Sequence, residues 1–209
     1  VAPTGVRHCE YYFALAKKGN RGLEGPEQSL WIRRYENDID NFRAAIALGL
    51  AGGIDPFISV KLAVSMVGFW TLRGYSSEGR RMIRAALALP AVLGLAPAHA
   101  WALYVGAVLA TRQGDHAEAS RMLETCLELR RGIGDTVQIA ATLSTLSLAR
   151  IQAGDTAGAA AAEAEALKLF RDQGDRIGEA IGLLHLGQIA LFEGDTIRAR
   201  AELQQALAL

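Results

Sequence analysis

Residues 134–156 read GDTVQIAATLSTLSLARIQAGDT, and the two Gly-Asp pairs in this stretch, Gly134-Asp135 and Gly154-Asp155, stand twenty residues apart. Glycine tolerates the left-handed backbone that ends a helix, and aspartate accepts hydrogen bonds from the first free N–H groups of the next. Each pair therefore predicts one helix stop and one helix start. The same ruler runs outward through Gly74, Gly94, Gly114, Gly174 and Gly194, and from Gly114 onward aspartate follows every one. Turns this short join only antiparallel neighbours. Between the glycines the apolar pattern recurs every forty residues rather than every twenty, so the repeating unit is a helix pair. Arrays of this kind bind partners far more often than they do chemistry.

Bulk composition narrows the function further. The 209 residues hold 22 Lys plus Arg against 22 Asp plus Glu, with no sustained basic stretch, so direct nucleic-acid binding is not expected. Apolar residues make up 51%, yet no uninterrupted apolar run reaches the roughly 18–20 residues that cross a bilayer. Cys9 and Cys126 lie apart with no CxxC or Cys/His spacing, which predicts neither a zinc site nor a disulfide framework and fits a reducing cytoplasm. The chain opens on Val1 without an initiator Met and closes at Leu209 inside a helical segment, and it reads as a fragment of a longer protein.

The first fifty residues ignore the ruler. They predict a helix over about 7–18, a Gly-rich loop over 19–26 and one long helix over about 27–50, an N-terminal helical module spanning 1–54. In the long helix Trp31, Tyr35, Ile39, Phe42, Ile46 and Leu50 line one face at steps of three and four. Arg33, Arg34, Glu36, Asp38 and Asp40 occupy its other sides, as a docking surface or as a solvated face. From Asp55, with Pro56 at the first helical position, the pairs follow as 55–95, 96–135, 136–175 and a truncated 176–209. First helices are expected at about 56–73, 97–113, 136–153 and 176–193. Their partners are expected at about 76–89, 116–131, 156–173 and from 196 to the end.

Small residues identify the kind of pair. Ala107, Ser147 and Gly187 recur at one position, Gly79, Ala119, Ala159 and Ala199 at a second, and Ala86, Cys126, Ala166 and Ala206 at a third. This resembles the tetratricopeptide pattern, in which small residues sit where helix backbones cross closely. The expected fold is all-α, a tetratricopeptide-like right-handed superhelix of antiparallel helix pairs with helices nearly a turn longer than usual.

A second resemblance rests on residues 10–16 (EYYFALA), 25–31 (GPEQSLW) and 40–46 (DNFRAAI), continued by Phe69-Trp70-Thr71-Leu72-Arg73-Gly74-Tyr75 and Glu78-Gly79-Arg80-Arg81. These segments are similar to the region that follows the nucleotide-binding and winged-helix domains of bacterial signal-transduction ATPases of the STAND/NB-ARC type, including LuxR-, AfsR- and MalT-like transcriptional regulators. The resemblance implies a cytoplasmic signal-sensing and protein-interaction arm. Its partner would be a sister domain of the parent ATPase or an external protein, with a small-molecule inducer in the concave groove as the alternative.

Chemistry of its own is not expected. The sequence has no Gly-Lys pair for a phosphate loop, no Gly-x-Ser-x-Gly and no HExxH, and His8, His99, His116 and His185 are scattered. No catalytic residue, metal site or cofactor is assigned. His185, among Leu183, Leu184 and Leu186, reads as a partly buried packing residue.

Binding residues follow from the tetratricopeptide resemblance, which places first helices on the inner curve. The inward positions with polar or aromatic character are Lys61 and Thr71, then Trp101, Tyr104, Thr111 and Arg112, then Ser144 and Gln152, then Gln188 and Phe192. Trp101 and Tyr104 fit either the groove or the core. One charge anomaly stands apart: between Pro56 and Leu95 five basic residues face one acid, Glu78, and Arg80, Arg81 and Arg84 share one side of a second helix. That side is read as an interdomain contact or as an ordinary solvated surface.

Overall fold

The computed structural model describes residues 4–52 and 55–209, with Pro56 described by its backbone alone. Val1 and the expected module boundary at residue 54 lie outside the described residues. Among the described residues every regular element is a helix: α1 (Thr4–Leu23), α2 (Gln28–Asn37), α3 (Ile39–Leu50), α4 (Pro56–Ser65), α5 (Val67–Arg73), α6 (Ser76–Leu87), α7 (Pro90–Leu93), α8 (Ala96–Arg112), α9 (His116–Ile133), α10 (Thr136–Ala153), α11 (Thr156–Gln173), α12 (Arg176–Phe192) and α13 (Thr196–Ala208). They fall into two compact units, one ending at Gln113 and one beginning at Gly114. No described helix is long and apolar enough to cross a membrane.

The Gly-Asp ruler works as the chemistry requires. Gly154 adopts φ +84°, closing α10, and the Asp155 carboxylate accepts from the Gly158 N–H at 2.9 Å to open α11. Asp115, Asp135, Asp175 and Asp195 cap their helices in the same way. The small positions lie where the resemblance puts them: Ala107, Ser147, Ala86, Cys126 and Ala166 have no exposed surface. A methyl group on Gly79 would press within 2.9 Å of both Trp70 and Leu109.

Three departures from the expected helices have local causes. The long helix expected over 27–50 breaks at Asp38, whose carboxylate is held by Tyr12 Oη and Asn41 Nδ2, each at 3.2 Å. The helix expected over 56–73 breaks at Met66, just after Ser65 donates its hydroxyl to the Lys61 carbonyl at 2.8 Å and competes with the helical ladder. Helix α1 runs through Gly19 to Leu23 instead of loosening into a loop, and a side chain at Gly19 would collide with the Tyr35 ring and one at Gly22 with Trp31. These glycines permit a close helix crossing and do not break the helix.

The core of the first unit is built around a ladder of rings. Tyr12 meets Phe42 edge-on at 4.9 Å, Phe42 stacks on Tyr35 and Tyr35 on Phe69, each at 5.0 Å, and Phe69 on Tyr75 at 5.7 Å. The second unit has smaller apolar clusters along α9 to α13, such as Leu127, Ile139, Leu143 and Phe170.

Candidate functional site

In the first unit, faces of α1, α4 and α8 line a trough of about 670 Å³. Helix α1 supplies Phe13, Lys17 and Asn20, whose spacing of four and three places them on one side of the helix. Helix α4, started by the Asp55 carboxylate accepting from the Phe57 N–H, supplies Phe57, Lys61 and Val64. Helix α8 supplies Pro97, Trp101, Tyr104 and Val105. Trp101 and Tyr104 meet edge-on at 6.1 Å.

The two lysines sit on aromatic faces one turn away. Lys61 Nζ lies 4.0 Å from the centre of the Phe57 ring, and Lys17 Nζ 5.8 Å from that of Phe13. Such contacts hold an ammonium over apolar surface without neutralising it. Among the described residues lining the trough there is no carboxylate. Trp101 keeps 41% of its surface exposed, so it belongs to the trough wall and not to the core, and Tyr104 is half-buried beside it.

The trough unites three of the residues placed inward by the resemblance, Lys61, Trp101 and Tyr104. Thr71, Thr111 and Arg112 belong to the same unit but not to this lining; Thr71 donates its hydroxyl to the Gly68 carbonyl at 2.9 Å, and Arg112 is exposed. Gln152 in α10 and Gln188 in α12 belong to the second unit. The resemblance left out Phe13, Lys17 and Asn20, because α1 precedes the repeats. The available signal was their spacing in α1, masked by the expectation of a loop from Gly19.

On α6, Arg81 and Arg84 are exposed, and Arg80 donates to the Gln113 side chain at 2.8 Å, which in turn donates to Ser77 at 2.6 Å. Glu78, the acid of this stretch, is occupied by a fork of two 2.7 Å bonds from Arg43. Those bonds raise the Arg43 guanidinium above its ordinary range.

A buried polar cluster in the second unit was not foreseen. Glu163 of α11 has no exposed surface, and its Oε2 lies 2.9 Å from Nδ1 of His185 in α12; Ser144 Oγ of α10 reaches the same nitrogen at 3.3 Å. A nucleophilic triad needs the hydroxyl and the carboxylate on opposite ring nitrogens. Here both meet Nδ1, so the arrangement holds three helices together and activates no hydroxyl.

The sequence model of the tetratricopeptide repeat family matches residues 98–172, from the first turn of α8 to the end of α11. Among solved structures, the chain is similar to BtubC (BKLC) from P. vanneervenii at 15% identity, covering 99% of this chain and 91% of that one with a TM-score of 0.72. It is likewise similar to the candidate kinesin light chain of Podosopora anserina with nearly identical TPR-like repeats. One structure of that protein gives 12% identity, coverage of 96% and 95% and a TM-score of 0.73, and a second gives 12%, 93% and 92%, and 0.70. No curated protein matches the sequence. At these identities the likeness is one of fold: the chain is all-helical and carries tetratricopeptide-like repeats.

Proposed function

We propose that the chain is a protein-interaction module that holds a segment of a partner protein in the trough of its first unit. The trough itself carries this reading: four aromatic rings converge on one open cavity, and partly exposed Trp and Tyr are the side chains that most often dominate binding energy. The wider role is that of a signal-sensing arm in a cytoplasmic bacterial regulatory ATPase, a transcriptional regulator. It rests on the resemblance of residues 10–16, 25–31 and 40–46 to such proteins. The partner is then a sister domain or an external protein. Arg80, Arg81 and Arg84, the basic side of α6, are the proposed interdomain contact. Thr71, Thr111, Arg112, Gln152 and Gln188 are secondary candidates for partner contact.

A small-molecule inducer is the second reading, favoured by one observation: the trough volume of about 670 Å³ falls within the range of small-molecule sites. Two parallel screens separate the readings. Selection from a displayed random-peptide library is expected to enrich peptides that bind the native chain and not Trp101→Ala. A thermal-shift panel of sugars, nucleotides and amino acids is expected to show no saturable rise. A metabolite whose shift disappears in Trp101→Ala would replace the protein reading with the receptor reading. The regulatory role is tested separately: Arg80→Glu with Arg84→Glu in the parent protein should change its ATPase control, and unchanged control removes the interdomain assignment.

A further inference from the structure

A second cavity, of about 310 Å³, lies wholly within the second unit, and it shares no residue with the trough. Helices α9 and α11 form its walls and α10 its base. Its floor is apolar: Leu127 of α9, Leu143 and Leu146 of α10 and Ala162 of α11 are all buried. The sequence accounts for the opening, because α9 carries the long side chains Arg121 and Met122 where, forty residues on, α11 carries Ala161 and Ala162. Two methyl groups therefore form the middle of the α11 wall. An arginine bounds each end. Arg131 of α9 donates from Nη2 to both carboxylate oxygens of Glu165 in α11, at 2.7 and 2.8 Å. Arg150 of α10 donates to Glu124 of α9 at 2.8 Å and to the Gly158 carbonyl of α11 at 3.0 Å. The two bridges stand seven residues apart on either wall, about 10 Å at the helical rise of 1.5 Å per residue. Between them, four residues after Glu124 and three before Arg131, Glu128 shares the same side of α9. It is exposed and, unlike Glu124 and Glu165, is held by no arginine among the described residues. The lining thus sets three carboxylates against two guanidinium groups, and the uncommitted charge is negative.

We propose that this cleft takes the side chain of a lysine presented by a partner protein. The methylene stem lies over Leu127, Leu143 and Leu146, and the ammonium meets the Glu128 carboxylate. Lysine buries its stem along apolar surface while its charge stays in water, and a buried leucine floor below an exposed carboxylate provides for both ends. Charge complementarity selects this guest: an apolar side chain would cover the floor and leave Glu128 unanswered, and an acidic one would approach an uncompensated negative charge. Size selects a side chain over a free-standing ligand, since the cavity stands at the lower limit of small-molecule sites. The two arginine bridges limit the slot to about 10 Å, so it receives a side chain from above and not a strand laid along it. The site uses residues of the second unit alone and stands whatever the trough of the first unit holds.

The experiment titrates the methyl-labelled 209-residue chain with N-acetyl-lysine methylamide and follows it by NMR. Saturable shifts are expected at the methyl groups of Leu127, Leu143, Leu146 and Ala162. N-acetyl-norleucine methylamide, which keeps an apolar stem and lacks the ammonium, should bind about threefold to fivefold more weakly, as one partly exposed ion pair is lost. Glu128→Gln should weaken the lysine probe by the same factor and leave the norleucine probe unchanged. Ala161→Met, at an exposed position and with a good helix former, should narrow the slot and weaken both probes. Both variants are expected to keep the native circular dichroism. Trp101→Ala should leave the titration unchanged, which keeps this outcome separate from that of the trough. Equal binding of the two probes, or a lysine probe indifferent to Glu128→Gln, would overturn the cationic assignment. Absence of saturable shifts at these methyl groups would overturn the site itself. 1-Aminopentane binding about tenfold more tightly than the capped lysine would overturn the protein source and give the cleft to a free amine.

Discussion

The Nδ1 nitrogen of His185 in α12 lies 2.9 Å from Oε2 of Glu163 in α11, a carboxylate with no exposed surface. One hydrogen bond through Nδ1 joins the pair, and Ser144 Oγ, at 3.3 Å, is a second and longer partner of the same nitrogen. Forty residues either side of Glu163, the repeat places Leu123 and Leu203, and forty residues before Thr145, which precedes His185 by the same step, it places Val105. The corresponding positions thus carry Leu in place of the glutamate and Thr or Val in place of the histidine. His185→Val alone strands a buried carboxylate and should cost about 3–5 kcal/mol. Glu163→Leu with His185→Val should recover most of that loss, since replacing both members of a buried pair with apolar groups is often neutral or stabilising. Urea unfolding of the two single variants and the double variant closes the cycle. A double variant no more stable than His185→Val would mean that the shape of the pair, not its charge, holds α11 to α12.

The glycine ruler makes two opposite predictions from one spacing. Gly154 adopts φ +84°, where an L side chain is strained, so Gly154→Ala should destabilise by about 1 kcal/mol. Gly94 keeps the ruler but has φ −74°, in the right-handed region, with the Pro90 carbonyl at 3.4 Å from a built methyl group. Gly94→Ala should be neutral or stabilise by about 0.4–1 kcal/mol through the unfolded chain. Thermal unfolding midpoints for the pair decide the matter; a loss at Gly94 as large as at Gly154 would contradict the assigned conformations.

These two glycines also mark how far the sequence could be read. From Gly114 on, the Gly-Asp pair carries its own mechanism, a left-handed stop and a carboxylate cap; α9 to α12 begin where expected, α10 and α11 also end there, α9 runs on to Ile133 and α12 stops at Phe192. Upstream, the same glycine spacing lacks the aspartate, and there α7 was unforeseen and the helix before it shorter than expected. The breaks at Asp38 and Met66 left no trace in periodicity, because a kink of one residue keeps the apolar stripe on the same face; Tyr35, Phe42 and Ile46 are buried as the stripe requires. Lys61, Trp101 and Tyr104, placed inward by the repeat phase with the core left open for the two rings, share one lining. Phe13, Lys17 and Asn20 were not legible in the same way, because nothing in a local pattern says which distant helix α1 will lie beside. Glu163 read as an ordinary helical acid, since burial of a charge depends on its partner across the crossing.

Arg43 and Glu78 tie α3 to α6. The guanidinium Nε and Nη2 each donate to one carboxylate oxygen at 2.7 Å, while Nη1 reaches Asp40 at 2.9 Å. The Glu78 side chain is 13% exposed and the Arg43 side chain 38%, so solvent screens the pair only in part. Arg43→Met should cost about 1–2 kcal/mol, mostly because a shielded carboxylate loses its donors. Arg43→Lys keeps the charge but not the fork and should recover only part of the loss. Raising the salt concentration should change the native stability much less than Arg43→Met does. An Arg43→Met protein as stable as the native one would show that the fork contributes no net stability.

Tyr35 gives the fold a defined weakness in alkali. Its ring has no exposed surface, lies between Phe42 and Phe69, and donates its hydroxyl to the Ala16 carbonyl at 2.9 Å. Burial pushes the phenol well above its ordinary value of 10. The unfolded chain therefore gives up this proton first. The stability contributed by the neutral phenol is fully present below pH 10 and is lost as pH rises from there toward the folded value. Its share of the slope is about 1.4 kcal/mol per pH unit. Burial also raises Tyr12, Cys9 and Cys126, so alkaline loss has several sources and the thiol share begins near pH 9. Tyr35→Phe should cost about 1 kcal/mol at neutral pH through the lost hydrogen bond. Above pH 10 it should lose stability less steeply than the native chain. Unfolding free energies measured by urea at several pH values between 8 and 11 give both numbers. A variant whose alkaline slope equals that of the native protein would place the titrating group elsewhere, with Tyr12 the next to test.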